Sequence, residues 1–304
     1  MDQKINQLIE STSQVFLDKA EAIKLVTVGL LAHGHLLIED VPGVGKTTLV
    51  QTIGKLLGLQ THRIQFTIDL LPADLLGGHI FNPADQKFHF HPGPLFAQLI
   101  LADELNRASP RTQSALLQAM EEGQVSLDGR TWDLPHPFFV IATQNPHQNQ
   151  GTFPLPDSQL DRFMLSLELN YASKETEVQI FAGRNPRDLI SALKPVMTDQ
   201  ELIQVQKQVD QVKVSKNIAE YVASLLENSR QPDFSGESIS TRGGLSLVKA
   251  GKAWAYLAGR DYVVTDDIQS IIEPVLGHRL GGVHGLQQGR EWARLLAKKT
   301  PVVY

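Results

Sequence analysis

Five short apolar runs in the first 170 residues constrain the fold of this chain more than any other feature. They lie at residues 35–39, 63–66, 98–102, 138–143 and 164–169, and most are separated by segments long enough for a crossover helix. Apolar runs without an alternating polar face are typical of parallel strands that are buried on both sides. The first half of the chain is therefore predicted to be an α/β domain.

The second half of the chain has a different pattern. Beyond Asn170 the segments 199–212, 217–230 and 245–259 carry apolar residues at helical spacing. We therefore predict a core at residues 1–171, with N-terminal helices and a β-hairpin insert, and a helical domain at residues 172–304. The stretch "EEGQVSLDGRTWDLPHPF" predicts a β-hairpin, because Asp128 and Gly129 form a favourable two-residue turn.

Composition excludes several classes of site. The 304 residues include no cysteine, which rules out disulfides, thiolate metal sites and a cysteine nucleophile. The formal charge of −5 argues against a surface that binds nucleic acid generally. The N-terminus lacks the pattern of a signal peptide, and the longest apolar run is too short to span a membrane. The cytoplasm is the expected location.

The segment "EDVPGVGKTT" follows the first apolar run and nearly matches the phosphate-binding pattern G-x-x-x-x-G-K-[ST], except that Asp40 occupies the first glycine position. Such a loop must supply inward-facing backbone N–H groups, a lysine for the β and γ phosphates and a hydroxyl for magnesium. A glycine-rich turn that binds nothing is the alternative. The residues predicted to bind the nucleotide are Pro42, Gly43, Val44, Gly45, Lys46, Thr47 and Thr48.

Two adjacent acids, Asp103 and Glu104, end the third apolar run. Metal-assisted hydrolysis at a phosphate needs one carboxylate for the magnesium shell and another to orient and deprotonate water. Thr47 and Asp103 are the predicted ligands of Mg²⁺, and Glu104 is the predicted base. An acidic solvent-exposed turn is the alternative, but the upstream loop favours an ATPase that turns over repeatedly.

Three further polar residues are candidates for the catalytic centre. Asn145 follows the fourth apolar run, where a neutral amide could hold the attacking water. Arg162 precedes the fifth run and could stabilise transition-state charge in a neighbouring molecule, or it could form an ion pair with Asp157 or Asp161. Arg242 stands at the start of a predicted helix, from which it could reach a phosphate across the domain cleft.

Seven segments follow one another in order over nearly the whole chain: "EDVPGVGKT", "RIQFTIDLLPADLLGG", "LILADELNRASPRTQSALLQAMEEGQVSLDG", "FFVIATQNP", "GTFPLPDSQLDRFM", "STRGGLSLVKAGKAW" and "VLGHRL". This ordered set resembles the MoxR family of AAA+ ATPases. The resemblance implies a P-loop core built as a parallel five-stranded αβα sandwich, with a C-terminal all-helical lid. It also implies a homo-oligomeric ring, usually a hexamer, in which ATP turnover remodels or matures a client protein, often with a von Willebrand factor A domain protein and sometimes for metal insertion.

The same resemblance implies residue roles. Residues 70–96 correspond to an insert that faces the ring axis or the partner. Asp18 and Lys19 stand where the family often has a Gly-Gln pair, and Arg107 is a rival to Arg162 for the trans-acting role. The implied assignments are Lys46 and Thr47 to Walker A, Asp103 and Glu104 to Walker B, Asn145 to sensor 1, Arg162 to the arginine finger and Arg242 to sensor 2.

The sequence therefore predicts an ATP-hydrolysing remodeller. In this interpretation Glu104 activates water with the help of Asn145, while the arginine of a neighbouring subunit and the arginine of the lid stabilise the developing charge. A scaffold that uses ATP only for assembly would share the same binding residues. A nucleic-acid motor would need a basic pore surface, and the insert is not rich in lysine or arginine.

Overall fold

The computed structural model describes residues 3–145 and 151–302. Within these ranges the strands are β1 (Leu36–Glu39), β2 (Thr61–Gln65), β3 (Gly77–Asn82), β4 (Lys87–Pro92), β5 (Leu99–Asp103), β6 (Gln124–Leu127), β7 (Arg130–Asp133), β8 (Phe139–Gln144) and β9 (Leu165–Leu167). The α-helices are α1 (Gln3–Val15), α2 (Ala20–Leu31), α3 (Lys46–Leu56), α4 (Pro72–Leu76), α5 (Pro110–Glu122), α6 (Asp157–Leu160), α7 (Lys174–Phe181), α8 (Pro186–Ala192), α9 (Asp199–Asp210), α10 (Lys216–Ser229), α11 (Thr241–Leu257), α12 (Thr265–Gly281) and α13 (Gly285–Lys299). Short 3₁₀ helices occur at Leu105–Arg107 and Gly282–His284.

A parallel sheet of five strands, in the order β2-β5-β8-β1-β9, forms the centre of the core. Its strands coincide with the five apolar runs of the sequence, so the predicted αβα core is confirmed. In β1, Leu36 lies opposite Ile141 of β8 and Leu165 of β9. All four residues of β1 are buried, as expected for a strand with neighbours on both sides and helices on both faces.

Alternate residues of the strands enter two separate hydrophobic clusters. Leu36 and Ile38 of β1 belong to one cluster, which also contains side chains of α2, α3 and the C-terminal helices. Leu37 belongs to the other, which is closed by α5 through Leu116 and Leu117. Because successive strand residues point to opposite faces, a sheet covered on both faces requires apolar residues at every position. This explains why the strands appear in the sequence as continuous runs.

The chain after β9 is built from helices within the described residues, as predicted for the lid, and its one isolated bridge joins Lys213 to Tyr262. Side chains of these helices share the larger hydrophobic cluster with α2 and α3. The domain boundary near residue 171 therefore stays a prediction, because the packing is continuous across it. None of the helices in the described part of the chain is both long enough and apolar enough to span a bilayer.

Two hairpins project from the core. The predicted hairpin is confirmed as β6 and β7, with Asp128 and Gly129 both at positive φ in the turn. A second hairpin, β3–β4, occupies the insert and was not predicted, because its exposed strands have no buried apolar run. The two hairpins meet where the rings of Phe90 and Trp132 stack at 4.1 Å between centroids.

Asp40, the residue in place of the first P-loop glycine, connects the end of β1 to the segment after β9. Its backbone does not adopt a positive φ, so glycine is not required there. One carboxylate oxygen accepts from the N–H of Val41 at 2.8 Å, and the other accepts from Leu169 at 2.6 Å and Asn170 at 2.7 Å. The buried carboxylate thus satisfies three backbone donors that glycine would leave without this acceptor.

Arg279 of α12 attaches the helical half to the segment that precedes β9. Its guanidinium is buried and donates to Asp161 Oδ1 at 2.7 Å and to the Phe163 carbonyl at 2.7 Å. The neighbouring His278 contacts the same carbonyl and Ser166 Oγ, each at 3.0 Å. Burial lowers the pKa of Arg279, and the hydrogen bond and charge of Asp161 act in the opposite direction. The "GHRL" segment therefore fixes the position of residues 161–166.

We predict that Asp40→Gly, which restores the usual P-loop glycine, destabilises the protein by about 3 kcal/mol, because three backbone donors lose a charged acceptor and glycine adds backbone entropy to the unfolded chain. Urea unfolding measures the effect. Asp40→Asn keeps one acceptor oxygen and serves as the control, and it should lower the stability by less than Asp40→Gly does. A glycine variant as stable as the parent would contradict this role for Asp40.

We also predict that Arg279→Met destabilises the protein by about 3–5 kcal/mol, because the substitution removes the charged partner of Asp161 Oδ1 and a donor to several buried carbonyls. The matched control is Arg294→Met, since Arg294 forms an exposed ion pair with Glu273 and should contribute less than about 1 kcal/mol. If the two substitutions lower the free energy of unfolding equally in urea, Arg279 does not hold the helical half against the segment before β9.

Candidate active site

The loop between β1 and α3 has the conformation of a phosphate cradle. Gly43 and Gly45 have φ values of 89° and 92°, in the region that favours glycine, and Gly45 is the N-cap of α3. A Cβ atom at Gly45 would lie 2.7 Å from the Phe16 ring, so space also requires glycine there. The N-terminus of α3 faces the loop and favours an anion.

A cavity of about 350 Å³ brings most of the predicted site residues together. The loop forms one wall, and the carboxyl ends of β2, β5 and β8 form the other. Val44 and Thr48 belong to an adjacent cavity instead. The first cavity is lined by Pro42, Gly43, Gly45, Lys46, Thr47, Arg63, Gln65, Asp103, Glu104 and Asn145.

Thr143 of β8 orients both acids of the predicted catalytic pair. Its buried hydroxyl donates to Asp103 Oδ1 at 2.7 Å and accepts from the N–H of Glu104 at 2.9 Å. Glu104 has φ 57° and ψ 47°, a left-handed conformation that is uncommon for residues other than glycine. A strained backbone held by a neighbouring side chain is common at functional sites, and here it directs the two carboxylates into one cavity.

Both acids have basic or amide partners in the same chain. Arg63 donates to Asp103 Oδ2 at 2.6 Å, and Gln65 donates to Glu104 Oε2 at 2.9 Å. Arg107, considered above as a trans-acting candidate, also donates to Glu104 Oε2 at 2.9 Å. Sequence reasoning missed Arg63 and Thr143. Both are polar residues in the strands that flank β5, and this was the signal that could have identified them.

The donor set fits Mg²⁺ and a nucleoside triphosphate. Thr47 offers a hydroxyl and Asp103 a carboxylate, which are the oxygen ligands that Mg²⁺ prefers. Lys46 donates from Nζ to the Asp40 carbonyl at 2.8 Å. Burial lowers the pKa of Lys46, while the nearby charge of Asp103 acts in the opposite direction. An ammonium group held by a backbone carbonyl in this cavity can exchange that weak partner for phosphate oxygens.

A second cavity of about 320 Å³ shares Gly43 and Gly45 with the first. Aromatic and aliphatic side chains of the α1–α2 connection and of α7 form much of its lining, including Phe16, Tyr171 and Ile180. A flat heteroaromatic base suits such a site. The two cavities together offer space for a base on one side of the loop and for phosphates on the other.

Asp18 and Lys19, the residues that replace the Gly-Gln pair, connect the walls of this second cavity. Asp18 has φ 59° and accepts from the Ser173 hydroxyl at 2.5 Å and from the hydroxyl of Thr176. Lys19 donates to the Tyr171 carbonyl at 2.7 Å. The hydrogen bond from Ser173 is the main reason that the pKa of Asp18 is lowered. The aspartate thus accepts a backbone conformation that favours glycine while its side chain binds the start of α7.

Arg162 and Arg242 lie at the opposite edge of the sheet. Both guanidiniums contact the carboxylate of Glu121, with Arg162 Nη2 at 3.1 Å from Oε2 and Arg242 Nη2 bound to Oε1. Glu121 lies in the last turn of α5 next to Met120, whose carbonyl contacts His35 immediately before β1. At about 3.3 Å per residue, the four residues of β1 separate this edge from the P-loop by about 13 Å or more.

Arg242 does not line the P-loop cavity of its own chain in this structure, so its predicted contact with a phosphate stays a prediction. The packing of α12 on the segment before β9 holds the start of α11 beside Arg162, away from the cavity of the same chain. The alternative that Arg162 pairs with Asp157 or Asp161 is also not what the structure shows. Its carboxylate contact is with Glu121, and Asp161 binds Arg279.

Comparison with known proteins agrees with the two-part architecture. The family "ATPase family associated with various cellular activities (AAA)" matches residues 35–165, and the family "AAA lid domain" matches residues 237–294. A solved structure from Cytophaga hutchinsonii superimposes with a TM-score of 0.88 at 33% identity, covering 99% of this chain and 95% of that chain.

Curated relatives extend over nearly the whole chain. YeaC of Bacillus subtilis is 43% identical over 91% of this chain and 86% of its own length. Chaperone MoxR1 of Mycobacterium tuberculosis is 36% identical over 91% of this chain and 75% of its own length. Protein MoxR of Paracoccus denitrificans is 30% identical over 88% of this chain and 85% of its own length. The chain therefore belongs to the MoxR family of AAA+ ATPases.

Proposed function

We propose that this protein is a Mg²⁺-dependent ATPase that works as a ring and uses ATP hydrolysis to remodel or mature other proteins. The observation that carries the proposal is the single cavity that combines the P-loop with Asp103, Glu104 and Asn145. A loop that only binds nucleotide for assembly does not need a second carboxylate beside the metal ligand. The relative named Chaperone MoxR1 supports the remodelling role.

Each residue in the cavity has a defined task in this proposal. The N–H groups of the loop and the Lys46 ammonium bind the phosphates of ATP, and Thr47 and Asp103 hold the metal. Mg²⁺, when bound, neutralises phosphate charge and orients the terminal phosphate. Glu104 takes the proton of the attacking water, and the amide of Asn145 orients that water. Gln65 and Arg107 hold the Glu104 carboxylate in the structure described here, so Glu104 must change partners to reach the water.

Hydrolysis in this proposal needs two subunits. Arg162 and Arg242 lie at the edge opposite the cavity of their own chain, in contact with the partly exposed carboxylate of Glu121. A neighbour placed head to tail would bring its P-loop edge against these arginines, and head-to-tail contacts form a ring when the rotation between neighbours closes. We propose a hexamer in which both arginines of one subunit stabilise the charge on the terminal phosphate bound by the next.

The β3–β4 hairpin is the proposed contact with a client or a partner protein. Ile80, Phe81 and Phe88 are large apolar residues that are between 49% and 69% exposed, and contiguous exposed apolar residues are typical of interaction sites. A von Willebrand factor A domain protein is the proposed partner, and metal insertion into a client is one proposed form of the remodelling.

We expect Glu104→Gln to bind ATP with parental affinity but to hydrolyse it about 10²-fold more slowly or worse, because the amide keeps the shape of the carboxylate but cannot accept a proton. Calorimetry measures binding, and phosphate release measures turnover. Lys46→Ala is the contrasting control, since it should lose ATP affinity. Parental turnover in Glu104→Gln would reject Glu104 as the base, and unchanged affinity in Lys46→Ala would reject the cavity as the phosphate site.

The shared active site predicts complementation between two inactive variants. Arg162→Ala should lower turnover by about 10³-fold with little change in ATP binding, as for arginine fingers in general. Mixed with Glu104→Gln, it should form interfaces in which an intact Glu104 meets an intact Arg162 of the next subunit. Partial ATPase activity should then return, measured by phosphate release at equal total protein.

Mass photometry on the same sample checks that mixed rings form. A single-chain fusion of two subunits, one with each substitution, fixes which interfaces are intact. If mixed rings and fusions both stay inactive, Arg162 does not serve a neighbour. Full activity in a strictly monomeric preparation of the parent would also exclude the shared site.

A further inference from the structure

One carboxylate contacts both arginines that the proposed function assigns to the neighbouring nucleotide. Glu121 accepts from Nη2 of Arg162 through Oε2 and from Nη2 of Arg242 through Oε1. Each arginine is thus bound through one terminal nitrogen. The Nε of Arg162 is buried and has no hydrogen-bond partner among the residues that the structure describes, so packing and Glu121 together determine where its planar group lies.

The three residues come from three different elements. Arg162 follows α6 in the core, Arg242 lies in the first turn of α11 in the helical half, and Glu121 lies in the last turn of α5. The segments that carry the two arginines are already connected by side chains, because the Ser240 hydroxyl donates to Asp161 Oδ2 at 2.8 Å, and Arg279 of α12 binds Oδ1 of the same carboxylate. The positions of the two guanidiniums, at the ends of long side chains, still depend on Glu121.

We infer that Glu121 is a positioning residue that holds Arg162 and Arg242 side by side, so that both can act on the nucleotide of the next subunit. This inference rests on the proposed function. Two guanidiniums repel each other, and the carboxylate between them offsets that repulsion. The group as a whole keeps one net positive charge, and its side chains are 29% exposed for Arg162, 40% for Glu121 and 44% for Arg242. A cationic pair that faces solvent at this edge is complementary to an incoming phosphate.

The opposite role, a latch that keeps the arginines away from the neighbour, predicts the opposite kinetics. A latch must release the arginines before they act, so its removal raises turnover. A positioning residue fixes a geometry that the transition state needs, and a displacement of about 1 Å at such a site can cost about 10²-fold in rate. The sign of the change in kcat therefore distinguishes the two roles.

The test is Glu121→Gln in the assembled full-length protein, with ATP as the probe. We expect kcat to fall about 10-fold to 10²-fold, while KM for ATP stays close to the parental value, because the nucleotide cavity of the same chain is untouched. The matched control is Glu122→Gln. Glu122 is the next residue of α5, its side chain accepts from Gln118 at 2.9 Å, and its substitution should leave kcat unchanged. In an Arg162→Ala, Arg242→Ala background, Glu121→Gln should have no further effect.

Complementation separates positioning from damage to the fold. A Glu121→Gln subunit keeps its own catalytic cavity, so mixing it with Glu104→Gln subunits should restore activity as mixing with Arg162→Ala does. A kcat of Glu121→Gln at or above the parental value would overturn the inference. The inference would also fail if mixed rings of Glu121→Gln and Glu104→Gln subunits regain no ATPase activity while mixed rings of Arg162→Ala and Glu104→Gln subunits do. If Arg162→Ala itself keeps parental turnover, the proposed shared site fails, and this result is distinct from a failure of Glu121 alone.

Discussion

Parallel pairing around β1 determines where every functional residue of this protein can lie. Because β2, β5, β8, β1 and β9 run in one direction, their carboxyl ends share one edge of the sheet. Polar residues that follow these strands therefore converge, which is how Asp103, Glu104 and Asn145 come to face the P-loop. Residues that precede a strand converge at the other edge, and Arg162 is one of them.

The same constraint separates the chemistry of one subunit into two surfaces. The nucleotide cavity lies at the carboxyl edge, and the arginine pair lies at the amino edge beside Glu121. No rotation of side chains can bridge the length of a strand between them. The buried contacts of Arg279 with the segment before β9 keep Arg242 at that edge as well. In the proposed ring, an active site completed by a neighbour would follow from strand direction and from where the helical half packs.

Local sequence patterns predicted the features that depend on local physics. Continuous apolar runs identified the five core strands, and the Asp128-Gly129 pair identified one hairpin turn. The β3–β4 hairpin was missed, because its strands are mostly exposed and its stability comes from aromatic contacts between hairpins, such as the stack of Phe90 on Trp132. The strand-end residues could be placed at one edge once the strands were known to be parallel.

Long-range pairs could not be predicted in the same way. Glu121 contacts residues that are 41 and 121 positions away in the chain, and nothing in the local pattern of an amphipathic helix end marks it as a partner for arginine. The location of Arg242 depended on how α12 packs against the core, which is set by the buried contacts of His278 and Arg279. Side chains that join separate elements carry little local signal, and here they decide at which edge of the sheet each arginine lies.

The helix α5 joins the two surfaces of a subunit. It begins shortly after Glu104, capped by the Ser109 hydroxyl, and its last turn places Glu121 at the opposite edge. At about 1.5 Å per residue, the thirteen residues of α5 span about 20 Å. This is close to the length of β8, whose six residues rise about 3.3 Å each. The packing of Leu116 and Leu117 in the second hydrophobic cluster holds the helix against the strands. The proposed base, Glu104, and the carboxylate that contacts the two arginines, Glu121, are therefore carried by adjoining parts of the same chain, so a displacement of α5 along its axis would move both.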